Sequence, residues 1–485
     1  GLAHVHGATD ADAVFGMIYA QAEDDYNRIE RNYLFALGRT AEAPGADASA
    51  TWLDLRARMY LPHASLEQAY ADSPAWLREL MDAWADGLNF YLATHPEVRP
   101  LAITRYEPWM ALSFTEGSIG GDIERIPLAP LAELYGADPA VALALQSIDA
   151  APRAPTGSNG IAIAPSRTVD GNALLLINPH TSFFFRSELQ MTSDEGLDAY
   201  GAVTWGQFFI YQGFNRHVGW MHTSTGADNI DEFVLDADEP LDTRTITLRV
   251  RAADGSLHER RFETLSSKHG PVTRRGDGGL VATSLMVRPV AALEQSWLRT
   301  KAHDLASYLE VARRQANSSN NTLFASDKGE IAYLHPQFMP ERDDRFDYTK
   351  PVPAGDATAW QGLHELSELP SVLNPPNGWV MNTNNWPYSA AGAFSPLPGD
   401  FPRYMDTFGE NPRGENVLRL LTDTGDFTLE SLIDLAYDSY LPAFADLLPK
   451  LSADYDALPD DDPLKAKLRG PMALLEGWNY RWGIA

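Results

Sequence analysis

The chain has 485 residues, 44% of them hydrophobic and 21% charged, and a formal net charge of −28. The length exceeds the roughly 250–300 residues that one hydrophobic core sustains, so several lobes or one large sandwich are expected. The negative charge argues against binding to nucleic acid or anionic membranes. The absence of cysteine excludes disulfides, thiolate metal sites and a cysteine nucleophile.

Helical patterns dominate the first part of the chain. Residues 10–13 can cap a helix that runs on through residues 20–25. Residues 76–93 place their apolar side chains on one face, as a helix packed on a core requires: Leu77, Leu80, Met81, Trp84, Leu88 and Tyr91. We therefore predict that residues 1–145 form a largely helical unit.

The composition changes at residues 146–157, where small residues and prolines are typical of an exposed, cleavable linker. After this linker the hydrophobic period falls towards two, which predicts strands at 160–165, 173–177, 203–211, 245–251 and 323–326. A helical pattern returns from Asn416 to Leu451. This order predicts an α+β fold in which residues 158–485 form the second unit.

Four segments of the second part combine residues that carry chemistry: Gly157–Ala164, Asn178–His180, Phe214–Ser224 and Asn374–Asn385. A serine after a linker, taken alone, is more often part of a turn than a nucleophile. Likewise, Asn384 taken alone is more often a turn asparagine. The order and spacing of all four segments together favour a catalytic interpretation.

This order resembles the penicillin/cephalosporin acylase family of N-terminal-nucleophile hydrolases, which includes the acyl-homoserine-lactone acylases. The resemblance extends over essentially the whole chain, and Gly157–Ser158 falls at the family's maturation site. The matching segments, in chain order, are Gly1–Gly7, Tyr19–Asp24, Gly157–Asn159, Ser166–His180, His269–Val272 and Asn374–Asn385. Because the chain begins inside the first of these and stops soon after Trp482, we expect further sequence at both ends.

The resemblance implies an αββα four-layer sandwich, in which two stacked antiparallel sheets are flanked by helices. It also implies cleavage of the Gly157–Ser158 bond, giving an α-chain that ends within residues 140–157 and a β-chain from Ser158. A serine hydroxyl needs a base, and the new α-amine, with a reference pKa of about 7.7–8.0, supplies one. The implied reaction is hydrolysis of an N-acyl amide through an acyl-enzyme, without a catalytic cofactor.

Three further residues match catalytic positions of the family. Asn384 matches the oxyanion-hole asparagine, and the backbone N–H of Ser224 matches the second donor. His180 matches a histidine that orients the terminal serine in cephalosporin acylase-like members, with a structural role as the alternative. The glutamate or arginine that some members supply from the end of the β-chain has no evident counterpart. Without metal-ligand spacing, the remaining histidines of these segments are expected to be structural: His217, His222 and His269.

A calcium site is a second implication of the resemblance. Asp228, Ile230 and Asp231 resemble the β-chain part of that site, which takes two aspartates and a backbone carbonyl. Asp122 or Glu124 lies where penicillin G acylases bring one acid from the α-chain. Oxygen ligands suit Ca²⁺, so a structural calcium ion is one expectation. Solvated acids on a very acidic surface are the alternative.

The acyl pocket is predicted from aromatic residues, with core packing as the alternative. Phe183 and Phe185 indicate an apolar or aromatic acyl group. Tyr211 stands where glutaryl-preferring cephalosporin acylases carry an arginine, which argues against a dicarboxylic acyl group, although Arg186 could enter the same pocket. Ile161 stands three positions after the nucleophile, where penicillin and cephalosporin acylases usually have tryptophan. An aliphatic residue there is more like the acyl-homoserine-lactone acylases, so both substrate classes remain open.

The partners expected are a small-molecule N-acyl amide substrate and the α and β chains of one precursor, with no nucleic acid and no membrane. The resemblance further implies a periplasmic or secreted location. A maturation-dead binding or scaffold protein is the alternative from a different class. The joint presence of Gly157, Ser158 and Asn384 argues against it. A Ser/His/Asp hydrolase of the α/β type is disfavoured because no Gly-x-Ser-x-Gly elbow occurs.

Overall fold

The computed structural model describes residues 1–114, 122–150, 157–182, 184–317 and 319–483. Phe183 and residues 151–156 of the predicted linker lie outside the described residues. The α-helices of the described part are α1 Asp10–Ala36, α2 Ala50–Tyr60, α3 His63–Asp72, α4 Ala75–Thr94, α5 Leu128–Leu134, α6 Pro139–Asp149, α7 Pro289–Leu298, α8 Leu305–Ala312, α9 Pro412–Asp423, α10 Leu429–Ala436, α11 Pro442–Ala457 and α12 Pro463–Leu475.

The two long N-terminal helices follow from their sequence. α1 begins at Asp10, and its N-cap is Thr9, one residue before the predicted cap. Thr9 forms a capping box: Asp12 N donates to Thr9 Oγ1 at 3.1 Å and Thr9 N donates to the Asp12 carboxylate at 3.0 Å. α4 confirms the helix predicted over residues 76–93 and buries its apolar stripe, with Trp84 fully buried. Among described residues, no helix has the length and apolarity needed to cross a bilayer.

The strands are β1 Ala3–Gly7, β2 Gly157–Ile163, β3 Leu174–His180, β4 Arg186–Ser193, β5 Asp198–Thr204, β6 Gln212–Asn215, β7 Val218–Ser224, β8 Asp231–Val234, β9 Asp242–Arg251, β10 Leu257–Ser267, β11 Gly270–Gly276, β12 Gly279–Ser284, β13 Asn320–Ser326, β14 Ile331–Leu334, β15 Val352–Pro353, β16 Val372–Leu373 and β17 Trp379–Asn382. Within the described residues these strands form three sheets, ordered β1-β4-β5-β6-β7-β13-β14-β16, β15-β8-β12-β11-β10-β9 and β17-β2-β3.

The first and second parts of the chain share one sheet. β1 pairs in parallel with β4, with Ala3 opposite Leu189 and Gly7 opposite Ser193. Residues 1–145 therefore supply an edge strand as well as helices, and the boundary near residue 150 is a change in composition within one folded body.

One predicted strand, at residues 203–211, is wrong. β5 ends at Thr204, and Gly206 then takes the left-handed backbone (φ +98°) with its Cα packed against Tyr33. Residues 208–211 that follow are all at most 3% exposed. A strand with one solvated face alternates, so a run of consecutive buried residues marks a core segment that periodicity alone does not distinguish from a strand.

Successive side chains of a strand point to opposite faces of its sheet, and this determines which sheets and helices pack together. In β7, Met221 packs with the three-stranded sheet while Trp220 packs with the N-terminal helices on the opposite face. In β2, Ala162 faces the eight-stranded sheet while Ile161 packs in a cluster with residues of α9 and α10. Gly160 permits this close approach, because a Cβ there would lie 2.8 Å from Met221 Sδ. The two sheets therefore stack directly, at the strand that carries Ser158.

Candidate active site

Ser158 lies at the start of β2, between β17 and β3, and is 7% exposed. The antiparallel register with β3 sets Ser158 opposite Pro179 and Gly157 opposite His180. The Ser158 hydroxyl donates to the Gly157 carbonyl oxygen at 2.6 Å. The hydroxyl thus lies against the peptide bond that the sequence predicts to be cut.

Asn384 comes two residues after β17, the strand that pairs with β2 on its other side. Its Oδ1 accepts a hydrogen bond from Ser158 N at 2.5 Å, and its Nδ2 donates to the Ser224 carbonyl oxygen at 3.1 Å. The backbone of Asn384 is left-handed, with φ +63°. Asparagine tolerates this region better than most residues with a Cβ, so the bend can aim the amide at Ser158.

A polar network fixes this bend. Asn382 Oδ1 accepts from Asn384 N at 2.9 Å and from Thr223 Oγ1 at 2.6 Å, which ties the bend to β7. Thr383 N donates to Asn385 Oδ1 at 2.8 Å. Asn382, Thr383 and Asn385 are fully buried. Buried amides must be paired to be stable, so the cluster of asparagines in the sequence is a packed hydrogen-bond network that supports Asn384.

His180 closes the site from β3. Its Nε2 lies 3.0 Å from Asn178 Oδ1, which leaves Nδ1 directed at Gly157. Burial, and then the positive charge of Arg413, lower the pKa of His180 below its ordinary value of 6.5. The imidazole is therefore neutral near pH 7 and can accept or donate a hydrogen bond beside the Gly157–Ser158 bond.

Arg413 is a site residue that sequence reasoning missed, since no arginine counterpart was expected. Its Nη1 donates to Ser158 O at 3.0 Å and to Asn159 Oδ1 at 2.7 Å, and its Nη2 donates to Asn384 Oδ1 at 3.1 Å. A sequence signal was available: Asn411 caps α9 and Pro412 opens it, so Arg413 sits at a helix N-terminus. The helix dipole disfavours a cation there, which favours a functional reason for this arginine.

Gly157 is the point on which these groups converge. A Cβ at this position would lie 3.0 Å from Asn384 Oδ1, 3.2 Å from Arg413 Nη2 and 3.3 Å from His180 Nδ1. Any side chain would have to displace part of this shell. The structure therefore gives a spatial reason for glycine before Ser158.

The predicted pocket residues Phe185, Arg186 and Tyr211 lie together. The Arg186 guanidinium lies 5.2 Å from the Phe185 ring centroid and 4.6 Å from that of Tyr211. Tyr211 is 3% exposed and also lies 5.2 Å from the guanidinium of Arg299, which donates to His222 Nε2 at 2.8 Å. The aromatic residues are thus in contact with two cations.

Of the expected calcium ligands, Asp231 has both carboxylate oxygens occupied by protein donors, namely Arg342 Nη1 and Trp360 Nε1. Burial raises the pKa of Asp228 to about 6. Asp122 is 1% exposed, and Ile230 is partly buried against the main core. Within the described ranges, no three His, Asp or Glu residues are grouped as a metal ion requires. The residues present therefore do not fit a divalent cation.

Comparison with known proteins places this site in a family. The chain belongs to the penicillin amidase family, whose model matches residues 1–484. It is similar to the acyl-homoserine lactone acylase PvdQ of Pseudomonas fluorescens, at 27% identity over 83% of this chain and 60% of that protein. It is also similar to the penicillin acylase 2 proenzyme of a Pseudomonas species, at 25% identity over 93% of this chain and 65% of that protein.

Among solved structures, the chain resembles a thermostable penicillin G acylase from Alcaligenes faecalis. The TM-score is 0.51 at 21% sequence identity, over 67% of this chain and 59% of that one. This likeness supports the α+β fold class. The chain spans about 60% of the length of the acyl-homoserine lactone acylase that it matches.

Proposed function

We propose that the protein is an autoprocessed N-terminal-nucleophile amidohydrolase that cleaves N-acyl amides, with Ser158 as its nucleophile. One observation carries the proposal. Asn384, Arg413 and His180 each place a polar atom within 3.3 Å of the point where a Cβ on Gly157 would lie, beside the Gly157–Ser158 peptide bond. These groups come from three separated segments of the chain. A merely structural turn would not need a guanidinium, an amide and an imidazole at one peptide bond.

The first step is self-cleavage. Ser158 Oγ attacks the carbonyl carbon of Gly157, the new C–O bond forms as the C–N bond breaks, and the departing nitrogen takes up a proton. That proton comes from the Ser158 hydroxyl, and the nitrogen becomes the free α-amine of Ser158. Water then hydrolyses the ester, which frees the Ser158 hydroxyl and the carboxylate of Gly157. Two contacts support this route: the hydroxyl already donates to the Gly157 oxygen at 2.6 Å, and Asn384 holds Ser158 N at 2.5 Å.

The second step is turnover on the substrate. The Ser158 hydroxyl attacks the substrate amide carbonyl, its own α-amine carries the proton to the departing amine, and an acyl ester forms on Oγ. Water hydrolyses that ester and releases the acid. With a reference pKa of about 7.7–8.0, the amine is partly unprotonated near neutral pH. The Arg413 guanidinium, bound to Ser158 O and Asn384 Oδ1, favours the neutral amine through its charge.

The oxyanion that develops at the substrate carbonyl needs fixed donors. In this proposal they are Asn384 Nδ2 and the backbone N–H of Ser224. The Asn384 side-chain amide donates a hydrogen bond to the carbonyl oxygen of Ser224, so the two residues that supply the expected donors are in contact. A donor of this kind contributes about 2.7–4 kcal/mol to transition-state binding.

Two substrate classes fit the proposal. A penicillin- or cephalosporin-like side-chain amide is supported by the aromatic groups at Phe185 and Tyr211. A linear acyl-homoserine lactone is supported by Ile161 and by the relatives named as acyl-homoserine lactone acylases. Ile161 is 1% exposed and packs in the cluster with α9 and α10, which gives its aliphatic character a packing reason as well.

The same proposal includes the finer architecture and the location. Stacking of the eight-stranded on the three-stranded sheet, with helices packed on both outer faces, supports the αββα sandwich. Export to the periplasm or medium is implied by the resemblance alone, and fractionation of the native producer tests it.

The experiment is to trap the acyl-enzyme. Purified protein is mixed with penicillin G or with a long-chain acyl-homoserine lactone, quenched in acid within the first turnover, and digested for mass spectrometry. We expect the mass of one acyl group on the peptide that begins at Ser158, with the better substrate giving the larger burst. Ser158→Ala should show no adduct, whereas Ser65→Ala, an exposed serine on α3, should behave as wild type. Hydrolysis that persists in Ser158→Ala would show that another site is responsible.

A further inference from the structure

Arg342 lies in the interior beside the loop that follows β7. Its side chain and that of Asp231 are fully buried. The guanidinium lies against two tyrosine rings, with its carbon 4.4 Å from the Tyr348 centroid and 4.3 Å from the Tyr404 centroid. Burial of a charge is costly unless it is paired and hydrogen-bonded, so the partners of this guanidinium show what it stabilises.

Those partners are oxygens of the expected calcium ligands. Arg342 Nη1 donates to Asp231 Oδ1, and Arg342 Nη2 donates to the backbone carbonyl oxygen of Asp228. The second carboxylate oxygen of Asp231 accepts from Trp360 Nε1 at 2.5 Å. A calcium ion bound by the expected ligands would need the Asp231 carboxylate at about 2.3–2.6 Å, and both oxygens of that carboxylate are already engaged by Arg342 and Trp360. The guanidinium and a divalent cation therefore cannot occupy the loop together.

We propose that Arg342 is a cation built into the chain, which holds the loop from Asp228 to Asp231 in place of a metal ion, so that the fold needs no calcium. The guanidinium has one positive charge and two donating arms, which bridge a carboxylate and a carbonyl as a coordinated ion would. The rings of Tyr348 and Tyr404 add cation–π attraction.

The position of this loop connects Arg342 to the active site. The loop begins at Ser224, whose carbonyl oxygen accepts a hydrogen bond from the side-chain amide of Asn384. Asp406 accepts from Thr225 Oγ1 at 2.7 Å and from Gly226 N at 3.2 Å, and Asp228 N donates to Tyr404 O at 3.1 Å. Tyr404 OH in turn donates to Arg342 O at 3.1 Å. Loss of the guanidinium should therefore loosen the segment that carries Ser224.

The test begins with the unchanged protein. Its Tm is measured in excess EDTA and in millimolar CaCl₂, and CaCl₂ binding is followed by titration calorimetry. We expect the same Tm in both conditions and no heat of binding. A Tm that rises with CaCl₂ and falls with EDTA would overturn the proposal, and this result does not depend on whether any variant folds or on whether the protein is an amidase.

Variants then test whether a calcium ion can take the place of the Arg342 guanidinium. Arg342→Ala should lower the Tm by several degrees because it strands a buried carboxylate, and CaCl₂ should restore part of the loss. Arg345→Ala, which removes an 83% exposed guanidinium from the same loop, should change neither Tm nor its calcium response. Restoration by CaCl₂ should disappear in the double variant Arg342→Ala, Asp231→Asn. An Arg342→Ala protein as stable as Arg345→Ala, or one that CaCl₂ does not stabilise, would contradict the built-in cation.

Discussion

Ser158 N donates a 2.5 Å hydrogen bond to Oδ1 of Asn384, a residue 226 positions further along the chain. The bond crosses from β2 to the turn after its neighbour β17, where Asn384 takes a left-handed backbone. The nitrogen that would leave in the proposed self-cleavage, and would then serve as the base, is thus held by the residue proposed to stabilise the oxyanion.

Asn384→Ala should reduce kcat by roughly 10²–10³-fold, the usual loss for an oxyanion donor. Asn384→Gly removes the same amide but keeps a residue suited to φ +63°. Both variants should therefore lose turnover to a similar extent, while Asn384→Ala is the less stable by about 1 kcal/mol. Steady-state kinetics and urea unfolding of the two proteins separate these effects, and a Gly variant with wild-type turnover would refute the donor role.

Gly157→Ala should slow maturation without impairing the mature site. A Cβ at residue 157 would lie 3.0 Å from Asn384 Oδ1, so the shell around the scissile bond must shift before cleavage. Residue 157 belongs to the α-chain after the cut, so turnover per cleaved molecule should stay close to wild type. Gel analysis over time gives the cleavage rate, and active-site titration gives the turnover. Gly171→Ala, at an open surface turn with φ +73°, is a control for strain alone.

Arg413→Lys should keep the positive charge but lose the forked contacts to Ser158 O, Asn159 Oδ1 and Asn384 Oδ1. Lysine has a single ammonium group and cannot bridge these three acceptors. We expect slower self-cleavage and a lower kcat, with the larger loss in Arg413→Ala. Arg469→Ala, which alters an exposed arginine on α12, should have no effect. Full activity in Arg413→Lys would show that only the positive charge of Arg413 is needed, and not its forked hydrogen bonds.

The pH dependence of turnover tests the state of His180. Burial and the charge of Arg413 lower its pKa below 6.5, so the imidazole is already neutral where the α-amine of Ser158 begins to lose its proton. The acid limb of log kcat/KM should therefore rise with a slope of about 1 between roughly pH 6 and 7.5, because one group titrates. His180→Gln should keep that slope at a lower rate. A slope of about 2 in the wild type would show that the imidazole titrates as well.

A buried histidine outside the site gives a stability prediction. Burial lowers the pKa of His335 to about 3, so the folded state keeps it neutral while the unfolded chain binds a proton below 6.5. The contribution of neutral His335 to the free energy of unfolding is complete above pH 6.5. It decreases by about 1.4 kcal/mol per pH unit as the pH drops from 6.5 towards 3. His335→Gln should thus show a flatter loss of Tm over that range. An unchanged slope would mean that His335 is charged in the folded protein.

Some of the contacts around Ser158 depend on order along the chain, and the sequence indicated these. Periodicity predicts strands next to Ser158 and His180, and the two residues come together because β2 and β3 form a hairpin. The amphipathic stripe of α4 was equally clear. The resemblance to a family then indicated Asn384, which composition alone would have left as a turn residue.

The rest depended on contacts between distant segments. Arg413 reaches Ser158 across 255 positions, and no periodicity encodes that contact. Arg342 likewise meets Asp231 only through the packing of two loops, so the expected calcium ligands gave no sign that a guanidinium lies among them. The strand predicted at residues 203–211 was wrong because four consecutive buried residues follow the turn at Gly206.

Self-cleavage before Ser158 can be checked directly by intact-mass spectrometry and N-terminal sequencing of the purified, active protein. We expect two polypeptides that stay together in native buffer, the second of which begins at Ser158, and one uncut chain in Ser158→Ala. Activity in a preparation that contains only the uncut chain, or a second polypeptide that begins at another residue, would contradict this expectation.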